Sequence, residues 1–252
     1  MRFRRYPRLD RRPAWKHVQV TTAWITAFLD VPASRHAVSA TFWCGVTGST
    51  VSRSRGLDGE FATFVPPDGD EYLRLQRIAA GPAGIHLDVH AAEFKFDATR
   101  SPGGMPFCRN DGEAGTRPLP RIWAAGHTSL VDQVCLDIPA GIYDVECAFW
   151  AAETGWEVHQ TARSEFRYLT RPDEIPVRIL LQRLDDPSDR AGDGPVRAHL
   201  DIATSDRAAE TDRHRALGAR VEATKQHWTV LRDPAGALYC ITDRDPYTGL
   251  LA

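Results

Sequence analysis

Several features that would place this chain in a specialised setting are missing. Its 252 residues hold five cysteines, an odd number, and no Cys-x-x-Cys pair. That argues against a disulfide frame and for reduced thiols in a cytoplasmic protein. No segment approaches the roughly 20 apolar residues of a membrane span, so no membrane partner is expected. A net charge of -2 supplies no broad field to attract nucleic acid. There is no Gly-rich phosphate loop, because Ser101-Pro102-Gly103-Gly104 reads as a hairpin turn. No serine, Ser129 and Ser164 included, sits in a nucleophile-elbow setting.

What is present is ordinary in bulk and informative in pattern. An apolar fraction of 42% with 25% charged residues fits a soluble globular protein. The start is basic, with Arg2, Arg4, Arg5, Arg8, Arg11, Arg12 and Lys16, and no apolar stretch with a cleavage site follows. Residues 1–17 therefore read as a solvated extension.

The chain is written twice. Phe28-Leu29-Asp30-Val31-Pro32-Ala33 returns as Cys135-Leu136-Asp137-Ile138-Pro139-Ala140. Phe42-Trp43 and Thr47-Gly48 return as Phe149-Trp150 and Thr154-Gly155, all at the offset 135 − 28 = 107. Leu75-Gln76-Arg77 recurs as Leu181-Gln182-Arg183, and His86-Leu87-Asp88-Val89 as His199-Leu200-Asp201-Ile202. A unit this long is a folded domain, so two related domains stand in tandem, each long enough for its own core. The boundaries expected are 18–108 and 128–245, with the Gly-, Pro- and charge-rich stretch 109–127 as linker.

Within the first domain, residues 24–31 read as a buried strand and Pro32 as the lead into a helix. Val38, Phe42 and Val46 recur every four residues, one helical face, and Gly48 marks the stop. Strand-like runs at 60–65 and 71–78 flank the turn Pro66-Pro67-Asp68-Gly69-Asp70. In the second domain His199-Leu200-Asp201-Ile202 precedes a helix over 206–217 and strands near 219–223, 227–231 and 237–242. The turn after His199 lies 232 − 199 = 33 residues on, whereas the turn after His86 lies 100 − 86 = 14 residues on. The difference of nineteen predicts that the first domain has lost its second helix with a loop. The fold class is therefore α+β. Trp43 and Trp150 are assigned to the core or a domain interface, and Trp228 to a strand facing either side.

This double strand-helix-strands order resembles the glyoxalase-like branch of the vicinal oxygen chelate superfamily. The residues carrying the likeness are the Phe28–Ala33 run with Phe42-Trp43, Val65-Pro66-Pro67-Asp68-Gly69, Leu75-Gln76-Arg77 and His86-Leu87-Asp88. The second half adds His199-Leu200-Asp201, Ala216-Leu217-Gly218-Ala219, Trp228-Thr229-Val230-Leu231 and Asp233-Pro234-Ala235-Gly236. The resemblance implies paired βαβββ modules curled into an incomplete barrel with a ligand or metal on its concave face. It also implies metal ligands from the first and last strands of each module. Those positions correspond to Phe28, Gln76, His86 and Cys108 in the first domain, and to Cys135, Gln182, His199 and Cys240 in the second. Phe28 cannot ligate, and the usual carboxylates are absent from these positions.

Strand alternation nominates the same cup. His86 and Asp88 share a face opposite Leu87 and Val89, and His199 and Asp201 oppose Leu200 and Ile202. Gln76 with Arg74, and Gln182 with Arg178, alternate against leucines in the same sense. The expected ligand-binding residues are thus Gln76, His86, Asp88, Gln182, His199 and Asp201, with no acid-base partner evident elsewhere. The expectation is a binder of a small, partly apolar molecule, without cofactor and open to homodimer formation. The alternative is a metal-dependent lyase, isomerase or dioxygenase with a divalent ion on Cys135, His199 and Cys240. The second cup, keeping both helices, is expected to be the better formed.

Overall fold

The computed structural model describes residues 21–184 and 194–251, so the basic extension at 1–17 lies outside the described residues. The first half opens with strand β1 (Trp24–Pro32), almost wholly buried, as its apolar run requires. A single turn at Ala33–Arg35 leads into helix α1 (His36–Thr47). Gly48 ends it in the left-handed region at φ 70°, where a side chain would be strained. Then come β2 (Thr50–Val51), β3 (Phe61–Val65), β4 (Leu73–Ile78), β5 (Gly84–His90), β6 (Asp97–Arg100) and β7 (Pro106–Asn110). The second half contains β8 (Arg121–Ile122), β9 (Thr128–Pro139), α2 (Tyr143–Thr154), β10 (Val158–Gln160), β11 (Phe166–Leu169) and β12 (Arg178–Leu184). It finishes with β13 (Arg197–Thr204), α3 (Arg207–Ala216), β14 (Arg220–Thr224), β15 (Trp228–Arg232) and β16 (Leu238–Thr242).

Two sheets result, ordered β2-β3-β4-β1-β5-β7-β6 and β10-β11-β12-β9-β13-β16-β15-β14, with β8 joined to β9. In each, the two first strands pair antiparallel at the centre, and the last strand of each module lies parallel to its first. The fold is α+β, built from two like domains in tandem, and the second module of the first domain has no helix. Leu87, Val89, Leu200 and Ile202 are all buried, as the alternation demands.

The missing segment is more than a helix and loop. β6 and β7 occupy the places of β15 and β16, and no described strand stands where β14 does. The deletion therefore removed the helix together with the edge strand that it connects. An edge strand makes hydrogen bonds on one side only, so its loss leaves one ladder open rather than splitting the sheet.

Each domain docks its first helix on the other. Helix α2 lays Trp150 and Phe149 on Phe107 of β7, with ring centres 5.2 and 5.6 Å apart. Helix α1 does the same in return: Trp43 and Phe42 lie 5.3 and 5.9 Å from Tyr239 of β16. Both tryptophans are fully buried interface residues, each contributing about 2–3 kcal/mol in area alone. The buried stripe of α1 is Ser39, Phe42, Trp43 and Val46, while Val38 is exposed. The four-residue row thus drifted off the true contact face, which follows steps of three and four.

Buried polar groups fix this docking. Trp43 Nε1 donates to Asp233 Oδ2 at 3.0 Å. On the other side Glu146, fully buried, accepts from Trp150 Nε1 at 2.9 Å, from Ser101 Oγ at 2.8 Å and from the Gly103 amide. Between β7 and β8, the chain is clamped to the Pro66–Asp70 turn: Thr116 N donates to Asp70 Oδ2 and Leu119 N to Asp68 Oδ1, both at 2.7 Å.

Candidate functional site

Strand register brings the nominated residues together in two cups. In the first, Phe28 stands opposite His86, Asp30 beside Gln76, and Asp88 beside Cys108. In the second, Cys135 stands opposite His199, Asp137 beside Gln182, and Asp201 beside Cys240. Gln76, His86 and Asp88 thus gather on one concave face, and Gln182, His199 and Asp201 on its counterpart.

Sequence reasoning missed two carboxylates. Asp30 Oδ2 lies 2.7 Å from His86 Nδ1, and Asp137 Oδ2 lies 3.3 Å from His199 Nδ1. The far nitrogens face Asp88 Oδ1 at 3.7 Å and Asp201 Oδ1 at 3.2 Å. Each histidine is therefore held between two aspartates, the expected neighbour two residues on and a second from the adjoining strand, which corrects the expectation that no partner lies elsewhere. The signal was available: Asp30 and Asp137 follow Phe28 and Cys135 by two residues on the same strand face.

The electrostatics of the second cup follow from this sandwich. Burial opposes charge on His199, but the acidic groups around it (Cys135, Asp137, Cys240 and Asp201) outweigh that, and its pKa rises well above the ordinary value. Burial also works against charge on Asp201, yet His199 and Arg244 hold its pKa below the usual range. Burial pushes the Cys135 thiol up to about 12 and raises Cys240 as well. The floor therefore favours an imidazolium held between two aspartates. In the first cup, burial raises Asp88 and pushes Cys108 up to about 12.

One substitution between the repeats decides the shape of the cups. Phe28 stacks on His86 with ring centres 4.4 Å apart and planes 15° from parallel, and Phe61 meets it edge-on at 6.2 Å. That ring fills the floor, leaving a wide open trough of about 640 Å³. At the same place the second domain has Cys135, whose small side chain leaves a hollow of about 210 Å³. Its walls include Phe166, Trp228 and Leu180, so Trp228 faces the cup. Phe166 and Trp228 meet edge to face at 6.2 Å, and Arg163 lies over both rings.

A polar chain runs along the floor of this hollow. Arg178 Nε donates to Gln133 Oε1 at 2.5 Å, and Gln133 Nε2 donates in turn to Asp201 Oδ2. Arg244 pairs with Asp132 and lies 3.8 Å from Asp201 Oδ2. Strand β9 carries a bulge here: Gln133 pairs with Asp201 but Val131 with Ile202, leaving Asp132 as the extra residue. Gln133, Asp132 and Arg244 were not nominated from sequence, since a bulge breaks the alternation that would reveal them.

Among the described residues, three groups could hold a metal ion: His86–Asp88–Cys108, Cys135–Asp137–His199, and His199–Asp201–Cys240. Within each group the ligand atoms lie within 4.8 Å of one another. The second-domain set fits such an ion. Asp201 Oδ1 is buried without a hydrogen-bond partner, and Asp137 is placed to hold the tautomer of His199 that frees Nε2. Mixed sulfur, nitrogen and oxygen donors suit zinc better than a hard ion such as Mn(II).

Comparison with known proteins supports the fold. Residues 26–108 and 133–242 match the family model described as glyoxalase-like domain. The chain belongs to this family. Among solved structures, it resembles the Mn(II)-bound glyoxalase from Novosphingobium aromaticivorans at 16% identity and TM-score 0.62, over 92% of this chain and 87% of that one. It also resembles a mutant of 4-hydroxymandelate synthase from Streptomyces coelicolor, at 14% identity and TM-score 0.57, over 92% and 94%. An extradiol ring-cleaving dioxygenase from B. fuscum aligns at 14% identity and TM-score 0.55, over 92% and 74%. No curated protein matches the sequence significantly. At these identities the likeness establishes the shared fold, and chemistry must be argued from the cups themselves. Among the described residues, no helix is long and apolar enough to cross a membrane.

Proposed function

We propose that this glyoxalase-like protein binds a small, partly apolar molecule in its second cup without needing a metal. The supporting observation is the hollow of about 210 Å³, walled by Phe166, Trp228 and Leu180 over a polar floor. Pockets of this kind, apolar with a few convergent polar groups, are typical ligand sites. At roughly 30 Å³ per water, the space equals about seven waters, which sets the scale of the ligand. Gln182, His199 and Asp201 orient its polar end. The cations already on the floor support metal independence, because His199, Arg178 and Arg244 stand among the carboxylates of Asp137, Asp201 and Asp132. In the first cup Gln76, His86 and Asp88 make a structural counterpart, with Phe28 occupying the ligand's place.

The test follows from the Phe28 and Cys135 difference. Cys135→Phe should fill the second cup as Phe28 fills the first, with the fold retained because the equivalent strand already carries that ring. Indole, small and uncharged, serves as the probe, read by calorimetry. Binding should be lost in C135F and retained in His86→Ala, while His199→Ala should weaken it. Unchanged binding in C135F would sink the proposal.

A second reading is supported by the orphaned Asp201 Oδ1 beside His199 and Cys240. On this reading the chain is a metal-dependent lyase, isomerase or dioxygenase. Cys240, His199 and Asp201 would hold the ion, which would supply Lewis-acid polarisation of a bound oxygen; Cys135 falls in a different group from Cys240, so the set Cys135, His199 and Cys240 expected from sequence does not come together as one site. Asp137 would orient His199, and the apolar walls would exclude water from the bound molecule. Elemental analysis of protein purified without a metal-affinity tag separates the readings: one ion per chain supports the enzyme.

A further inference from the structure

The second cup contains a guanidinium with no direct carboxylate partner among the described residues. Arg178, at the start of β12, lines the hollow and donates through Nε to Gln133. Among the described residues it has no carboxylate within ion-pair distance. Its neighbour Arg244 is buried and already matched, by Asp132 and more distantly by Asp201. Arg244 Nε is buried without a hydrogen-bond partner. Burial, with Arg244 and Arg171 nearby, lowers the pKa of Arg178 to about 10 against the pull of Asp132 and Asp201.

The surroundings hold this arrangement in place. The β9 bulge delivers Asp132 to Arg244. The C-terminal turn closes over the same end: a side chain at Gly249 would meet Asp132 Oδ2 at 3.2 Å and Arg178 Nη1 at 3.7 Å. Leu251 from that segment lines the cup. At the corresponding two positions the first domain differs. By sheet register, Thr26 and Tyr72 stand where the second domain has Gln133 and Arg178. Tyr72 is turned to donate to Val131 O instead.

Resting on the cup reading above, we infer that the ligand is a small monocarboxylate. Its carboxylate sits against Arg178 with the free edge of Arg244, and its apolar body lies between Phe166 and Trp228. One guanidinium without a paired carboxylate suits one negative charge. A phosphate dianion would bring surplus charge beside Asp132 and Asp201. The planar fork of arginine also matches the two oxygens of a carboxylate.

Benzoate and its uncharged isostere benzamide are the probes, with calorimetric titration of the full chain. Benzoate should bind at least tenfold more tightly than benzamide. Arg178→Gln should erase that preference, weakening benzoate at least tenfold while leaving benzamide unchanged. Its melting temperature should be equal or higher, since the substitution removes a repelled cation; a merely structural arginine would lower it. Equal affinity for the two probes in the unaltered protein overturns the inference without needing any variant. If benzamide or indole binds but benzoate is no better, the carboxylate subsite falls and the cup reading stands. If no aromatic probe binds, charged or uncharged, both fall.

Discussion

His199→Gln is the most exacting perturbation of the second cup, because it removes the positive member of a buried triad. The ring lies 3.3 Å from Asp137 and 3.2 Å from Asp201, with side-chain exposures of 15% for the histidine and 5% for Asp201. Taking away one partner of so buried a pair leaves Asp201 with Gln133 and a distant Arg244, at a cost of about 3 kcal/mol. The folded-state pKa of His199 lies above the ordinary value of 6.5. Protonated His199 therefore stabilises the fold fully below pH 6.5, and that contribution drains away as pH rises through the folded-state value. Over that window the stability difference between parent and variant should shrink by about 1.4 kcal/mol per pH unit. Urea denaturation of metal-free protein at half-unit steps from pH 5.5 to 9.5 measures it, and groups unaffected by the substitution cancel in the difference. A difference that stays flat across the window, or grows with pH, would refute the imidazolium assignment.

Two further outcomes test how the domains are joined. Glu146→Ala strands three buried donors, on Ser101, Gly103 and Trp150, and should cost about 3–5 kcal/mol in urea unfolding. Glu146→Gln, which still accepts through one oxygen, should cost less; equal losses would mean that packing rather than the carboxylate anchors α2. Gly69→Ala should lower stability by about 1–3 kcal/mol. Gly69 has φ 66° and an added Cβ would come within 2.7 Å of Pro118 N, so an unchanged melting temperature would contradict the clamp between turn and linker.

The sequence by itself determined the fold through duplication. The 107-residue offset between Phe28–Ala33 and Cys135–Ala140 fixed two like domains, and the shortened interval after His86 fixed the missing helix. Period-two alternation placed His86, Asp88, His199 and Asp201 on concave faces, because pleating leaves no other choice. What the sequence could not show was pairing across strands. Asp30 and Asp137 reach their histidines only through antiparallel register, and Asp132 reaches Arg244 only because β9 bulges. The difference between the cups also became visible only in three dimensions. Phe28 and Cys135 occupy equivalent places in the repeat, but which leaves space depends on what each side chain faces. A ring stacked on His86 leaves one cup a wide open trough, and a thiol beside His199 leaves the other a hollow walled by Phe166 and Trp228. Local pattern specifies faces, whereas volume and charge balance arise from residues far apart in the chain.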